Sequence, residues 1–181
     1  MSKIRLLIAY FHAGFMDLAV GVLLINALTA AFGIPFEWWH LPLGAALTVL
    51  PDFDIFWPLL RTVFGGTART EDHHKTWLHF PIVMLPAIGL VGYALGGWEW
   101  ATITVVGVLA HYIHDAATIK NGGVYWFFRI ERTRWTNSEI PTGTGEEWTR
   151  KNWLQWSQLS VIETTIGICA LLGALAIIAL R

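Results

Sequence analysis

The chain has 181 residues, enough for one domain, and 55% of them are hydrophobic against 14% charged. A mean hydropathy of +0.51 lies outside the range of ordinary soluble domains. A formal net charge of −1, with basic residues scattered through short loops, argues against a nucleic-acid partner. The single cysteine, Cys169, excludes a disulfide within the chain and sits in an apolar run, where a small core or lipid-facing residue fits.

Taken in chain order, the apolar segments predict an all-α, polytopic membrane helix bundle of about five spans, forming one integral membrane domain over 1–181. Lys3 and Arg5 precede the first apolar segment, and no small-x-small cleavage site ends it, so it reads as a retained helix over about 13–34. The second, LPLGAALTVLPDFDIFWPLL at 41–60, is broken at its centre. Pro51 disfavours a regular helix at Leu50, and Asp52 and Asp54 follow at once. Broken backbone at membrane depth survives only beside protein or a watery cavity, which marks a binding site. A long run over 78–119 is interrupted by GGWEW at 96–100 and reads as two helices joined by a tight turn. The segment EEWTRKNWLQWSQL (146–159) reads as an interfacial amphipathic helix, Glu146 and Glu147 suiting its N-terminus, and leads into a last span at 160–180. Each span needs roughly 20 residues to cross about 30 Å of hydrocarbon.

Charge fixes the expected orientation. With the N-terminus inside, one side receives Lys3, Arg5, Arg61, Arg69, Lys75, Lys120, Arg129, Arg132, Arg134, Arg150 and Lys151, whereas the loops 35–42 and 96–100 hold no Lys or Arg. Only Arg181 falls outside. This is the positive-inside pattern of a cytoplasmic (inner) membrane protein, with Trp38, Trp39, Trp98 and Trp100 as an outer aromatic belt.

On that topology most of the ionisable residues collect at the inner ends of the helices. Taken singly, His12, Asp17 and Glu163 read as interfacial or capping groups, His73 as a loop residue and His40 as an outer interfacial one. Taken together, Asp52, Asp54, His74, His79, His111, His114 and Asp115 need mutual pairing or a cation, because each buried ionisable group costs a few kcal/mol. Gly107, His111, Asp115 and Thr118 recur on one helix face. His111 and Asp115 thus offer a nitrogen and an oxygen side by side, a pair suited to Zn²⁺ or another borderline divalent ion. Gly107 leaves room for close helix approach, and His114, one position off that face, reads as an outer-layer or substrate-side residue. His74 and His79 cannot share a helix face, so if both act one lies in the loop. Asp52 and Asp54 share a side only if that stretch is extended.

LPDFD (50–54), HKTWLH (74–79) and GVLAHYIHDAATIKNGG (107–123) together resemble the YdjM-type family of inner-membrane metal-dependent hydrolases, in motif order and spacing. Gly107, His111, Asp115, Thr118 and Gly122 match its GxxxHxxxDxxT…G motif, and Pro51, Asp52 and Asp54 its PDxD motif. In its HRGxTHS-like motif His74 and His79 are kept, but Lys75, Thr76, Leu78 and Phe80 depart from the pattern. The resemblance covers about 10–130 and leaves the Trp-rich loop 120–159 and the last helix unmatched. That family is remotely similar to zinc-dependent phospholipases C and single-strand nucleases. The likeness implies a metal site of Asp52 or Asp54, His74 or His79, His111 and Asp115, with His12 as a further ligand, holding one or two ions, Zn²⁺ or Mn²⁺.

The expected reaction is metal-assisted hydrolysis of a phospholipid or lipid-linked phosphoester at the inner leaflet. A divalent ion polarises the phosphoryl oxygen and acidifies water, and whichever of Asp52 and Asp54 is not a ligand takes the proton. His114 stands by as a third catalytic candidate. Lys75, Arg129 and Arg132 are the candidate substrate contacts, the last two within YWFFRIERTRW (125–135), which reads equally as an interfacial anchor. No GxSxG elbow is present, and TGTG at 142–145 is too short for a phosphate loop. The alternative is a non-catalytic membrane subunit with a structural or vestigial metal site and a membrane protein partner. A carrier or proton relay lacks the internal repeat such folds show, and haem held by facing histidines would betray itself by visible absorbance.

Overall fold

Glycine and proline decide where the first helix stops. The computed structural model describes residues 3–53, 76–117, 124–125, 132–133 and 158–181, and α1 (Lys3–Ala31) is the first element. Its end is a Schellman closure: Ile34 N–H donates to Thr29 O (2.8 Å) and Gly33 N–H to Ala30 O (3.0 Å). Gly33 takes φ +69°, which costs a residue without Cβ little. Pro35 then prevents the helix from resuming.

The second helix, α2 (His40–Val49), returns antiparallel to α1. Gly21 and Gly44 mark the crossing, where a Cβ on either would overlap the other's backbone carbonyl. Thr48 Oγ1 donates to Asp17 O across the same contact (2.7 Å). At Pro51 the helix tightens into a 3-10 turn, Leu50–Asp52. The expectation that Leu50 leaves helical space is corrected: it keeps φ −56°, ψ −40°. The proline is accommodated by a change of hydrogen-bond pattern, since at the start of a 3-10 turn its missing N–H breaks nothing. Nor is Asp52 extended. The remainder of the segment, 54–60, lies outside the described residues.

A second 3-10 turn, Trp77–His79, leads into α3 (Pro81–Ala117). Gly96 (φ −170°, ψ 34°) and Gly97 (φ 76°, ψ −159°) fold α3 into a hairpin. Thr104 Oγ1 donates to Ile88 O at 3.1 Å, although sixteen residues of straight helix would separate them by about 24 Å. Gly89, Gly92 and Gly96 line the seam, with Val105, Thr104 and Trp100 lying where a Cβ would project. The expected tight turn at 96–100 is therefore present. The second arm runs parallel to α2, with His40 beside Trp100 at one end and Gly107 against Leu47 further along.

After a two-residue antiparallel pairing of β1 (Val124–Tyr125) with β2 (Arg132–Thr133), α4 (Gln158–Ala179) closes the architecture. It runs parallel to α1: His12 meets Thr164, Gly167 meets Phe15 and Met16, Gly173 meets Leu23, and Arg181 meets Thr29. The described fold is all-helical apart from that short pairing, and the segment 146–157 lies outside the described residues.

Three helical stretches are long and apolar enough to cross a membrane: Gly14–Ala31, Pro81–Ala116 and Ser160–Ala179. Ile25, Leu47, Ile103, Val108, Tyr112, Ala116 and Val124 form the interior, while Leu90, Leu95, Leu172 and Leu175 stand exposed on the outside. An apolar exterior around a core holding polar groups is what lipid as solvent selects. At one end Phe32 packs edge-on against Trp98 and Trp39 stacks on Trp100 (centroids 5.0 Å in each pair). Trp38, Trp39, Trp98 and Trp100 thus share that end. The polar residues collect toward the other.

Candidate metal centre

Three separate elements bring donors to one point. The 3-10 turn after α2 supplies Asp52, the 3-10 turn before α3 supplies His79, and the second arm of α3 supplies His111 and Asp115. Both turns exist because proline ends or begins a helix there, Pro51 in the first and Pro81 just after the second. Tyr112 locks the second turn by donating its hydroxyl to Leu78 O. His111 and Asp115 share a face because four residues make about one helical turn.

The donor atoms form a closed circuit. His79 Nε2 lies 3.2 Å from Asp52 Oδ1 and 3.9 Å from Asp115 Oδ2, while His111 Nε2 lies 3.6 Å from Asp52 Oδ1 and 3.2 Å from Asp115 Oδ2. Two ligands at about 2.0–2.1 Å on a tetrahedral ion would stand about 3.3 Å apart, a spacing close to the 3.2 and 3.6 Å that separate Asp52 Oδ1 from His79 Nε2 and His111 Nε2. Among the described residues, Asp52, His79 and His111 form the group whose ligand atoms lie within 4.8 Å of one another. Among the described residues neither nitrogen of the buried His111 makes a hydrogen bond, although carboxylate oxygens face both. An imidazole aimed at acceptors without bonding to them is a ligand arrangement more than a packing one. The other nitrogen of each histidine is backed by oxygen. His79 Nδ1 faces Thr76 Oγ1 at 3.4 Å, and His111 Nδ1 faces Asp17 Oδ2 at 3.8 Å. Metal-bound histidines carry such backing groups. The set therefore fits a divalent cation with mixed nitrogen and oxygen ligands.

His79, His111 and Asp115 are at most 3% exposed at their side chains, whereas Asp52 is 29% exposed. Asp52 is the donor through which the centre meets its surroundings.

The remaining predicted residues separate clearly. His12 bonds Thr164 Oγ1 at 2.8 Å, across the α1–α4 contact. His114 faces two carboxylates, with Nδ1 at 3.0 Å from Asp17 Oδ1 and Nε2 at 3.4 Å from Glu163 Oε1. Asp17 and Glu163, expected as interfacial or capping groups, are instead buried within α1 and α4. The sequence carried a signal for them: each lies inside a helix of membrane-spanning length, where a carboxylate survives only when paired. Tyr112 and Thr76 gave no such signal. Asp54, His73, His74, Lys75, Thr118, Gly122 and Arg129 lie outside the described residues, as does the side chain of Arg132.

His40, expected as an outer interfacial residue, is fully buried beside Trp39 and Trp100. Its Nδ1 accepts from Glu37 N–H (3.2 Å) while the His40 backbone N–H donates to Glu37 O (2.9 Å), so the ring folds back onto the turn before α2. Trp39 and Trp100 then cover it. Burial, then the Arg181 guanidinium, lowers its pKa below 6.5, with Glu37 pulling the other way.

Compared with protein-family models, curated proteins and solved structures, the chain matches none.

Proposed function

We propose that the chain is a membrane-embedded, metal-dependent hydrolase acting on a phospholipid or lipid-linked phosphoester. The observation that carries this reading is the four-donor circuit of Asp52, His79, His111 and Asp115, closed on three sides and open at Asp52. A divalent cation held there supplies Lewis-acid polarisation of a phosphoryl oxygen and acidifies water. Zn²⁺ suits the donors best, and Mn²⁺ is the second choice.

The protein's own part is positional. His79 and His111 fix the site from two elements, Asp115 holds it one turn on from His111, and Asp52 completes it at the exposed edge where substrate meets it. With Asp52 as a ligand, Asp54, two residues on, is the candidate base that accepts the proton. The likeness of the three motifs to the YdjM-type family supports the same assignment.

We read α1, α2, the two arms of α3 and α4 as five passes, the second broken after Val49, and the alternating directions of these helices support that reading. The start of α1 and the end of α4 then lie on opposite sides. The basic loops place the N-terminus and the metal centre inside, Arg181 outside, and the centre at inner-leaflet depth of a cytoplasmic membrane. At that depth headgroups and ester linkages are the available substrates, with Lys75, Arg129 and Arg132 to meet their phosphate.

The test is release of phosphate or headgroup from mixed phospholipid micelles by the purified chain, with Asp52→Asn as control. Turnover that chelator abolishes, zinc restores and Asp52→Asn lowers at least a hundredfold supports the proposal. Full metal loading without turnover on any lipid phosphoester would favour the non-catalytic subunit.

A further inference from the structure

Asp17, His114 and Glu163 lie beside the donor circuit without joining it. Asp17 is 6% exposed and Glu163 5%. Carboxylates so buried are retained only with partners, and one imidazole would satisfy one of them. Asp17, however, serves two. Its Oδ1 and Oδ2 lie 3.0 and 3.1 Å from His114 Nδ1, and its Oδ2 lies 3.8 Å from His111 Nδ1. The second separation is an ion-pair distance, longer than a hydrogen bond. On its far side His114 reaches Glu163 Oε1 at 3.4 Å.

The result is a buried line, His111–Asp17–His114–Glu163, that passes from α3 to α1, back to α3 and out to α4. Thr48 of α2 pins the Asp17 backbone by donating to its carbonyl (2.7 Å). A carboxylate behind a ligating imidazole fixes which nitrogen carries the proton and raises the basicity of the other. The two nitrogens of His114 point at different carboxylates, so this group spaces them apart and does not converge on a second ion.

We propose that Asp17 is a positioning residue for His111, and that His114 of α3, itself held by Glu163 of α4, keeps Asp17 in place. The last helix, which contributes no donor to the circuit, thereby sets the affinity of the metal centre. This rests on the metal-site reading above.

Cobalt(II) is the probe, because it takes zinc-like sites and its ligand-field bands report the ligands. The detergent-purified full chain is titrated with Co²⁺ beside Asp17→Asn, Glu163→Gln and His111→Ala. Expected are binding by the wild type, loss of binding in His111→Ala, and about tenfold to hundredfold weaker binding with shifted bands in Asp17→Asn. Glu163→Gln moves both in the same direction by less. Wild-type affinity and bands in both Asp17→Asn and Glu163→Gln, with His111→Ala inactive in binding, would overturn the positioning role and leave the metal centre standing. Absence of binding by the wild type would overturn the metal centre itself and this inference with it. Should Asp17→Asn fail to fold, Asp17→Glu keeps the charge and alters the reach: shifted bands support the role, and unchanged bands overturn it.

Discussion

His111 and His40 are both buried histidines, and their surroundings give them opposite tasks. His111 has carboxylates facing both nitrogens. His40 has an N–H donor on Nδ1, tryptophan faces around it and a guanidinium nearby. With Nδ1 accepting, its proton sits on Nε2, which finds no acceptor among the described residues. Because its folded pKa lies below 6.5, the unfolded chain binds the proton more readily in the interval beneath that value. His40 therefore gives its full stabilisation above about pH 6.5, and this is lost as pH falls through the lowered folded value. The thermal midpoint in detergent is expected to drop between pH 7.5 and 5.5, and to drop less in His40→Asn, whose Oδ1 can still accept from Glu37. An equal drop in both proteins would show that His40 does not titrate in this way.

At the scale of elements, two close approaches place the site. The glycine seam of the α3 hairpin brings Thr104 to Ile88, and the Gly21–Gly44 crossing sets α2 at the depth where Asp52 meets His111. A Cβ at Gly21 would run into backbone atoms of Gly44, which cannot yield as a side chain does. Gly21→Ala is accordingly expected to destabilise the fold by about 1–3 kcal/mol, read as a lower denaturation midpoint. A parallel loss of metal affinity would show that α2 carries Asp52 with it. The hairpin was legible from GGWEW, since two adjacent glycines interrupt an apolar run too long for one span. The Pro51 break was legible as a place but not as a conformation: the sequence left an extended stretch open, and Leu50–Asp52 form a 3-10 turn. His111 and Asp115 were legible as a pair from residue type and spacing, whereas the motif likeness left Asp52 beside Asp54 and His79 beside His74 as alternatives. The burial of Asp17 and Glu163 could have been read from their place inside spans, but their pairing could not, since their partner His114 comes from a helix far away in sequence and a single carboxylate in a span has no periodicity to reveal its mate.

On the scale of the whole molecule, polarity is divided between the two ends. Trp38, Trp39, Trp98, Trp100 and Arg181 gather at one, and the donor circuit with its supporting line toward the other, while the apolar sides of α3 and α4 face outward. Such a division suits a protein that works at one leaflet and needs no passage through the bilayer, and it sets the hydrolase reading apart from a carrier. The central claim is that the circuit holds a cation. Its most direct test is metal content per chain by mass spectrometry, on protein purified in detergent without chelator, beside a His111→Ala/Asp115→Ala double variant. The account predicts about one zinc or manganese ion per wild-type chain, within the one or two that the motifs allow, and none in the variant. A metal-free wild type, or a variant that keeps its metal, would contradict it and leave the cluster as a hydrogen-bonded polar core.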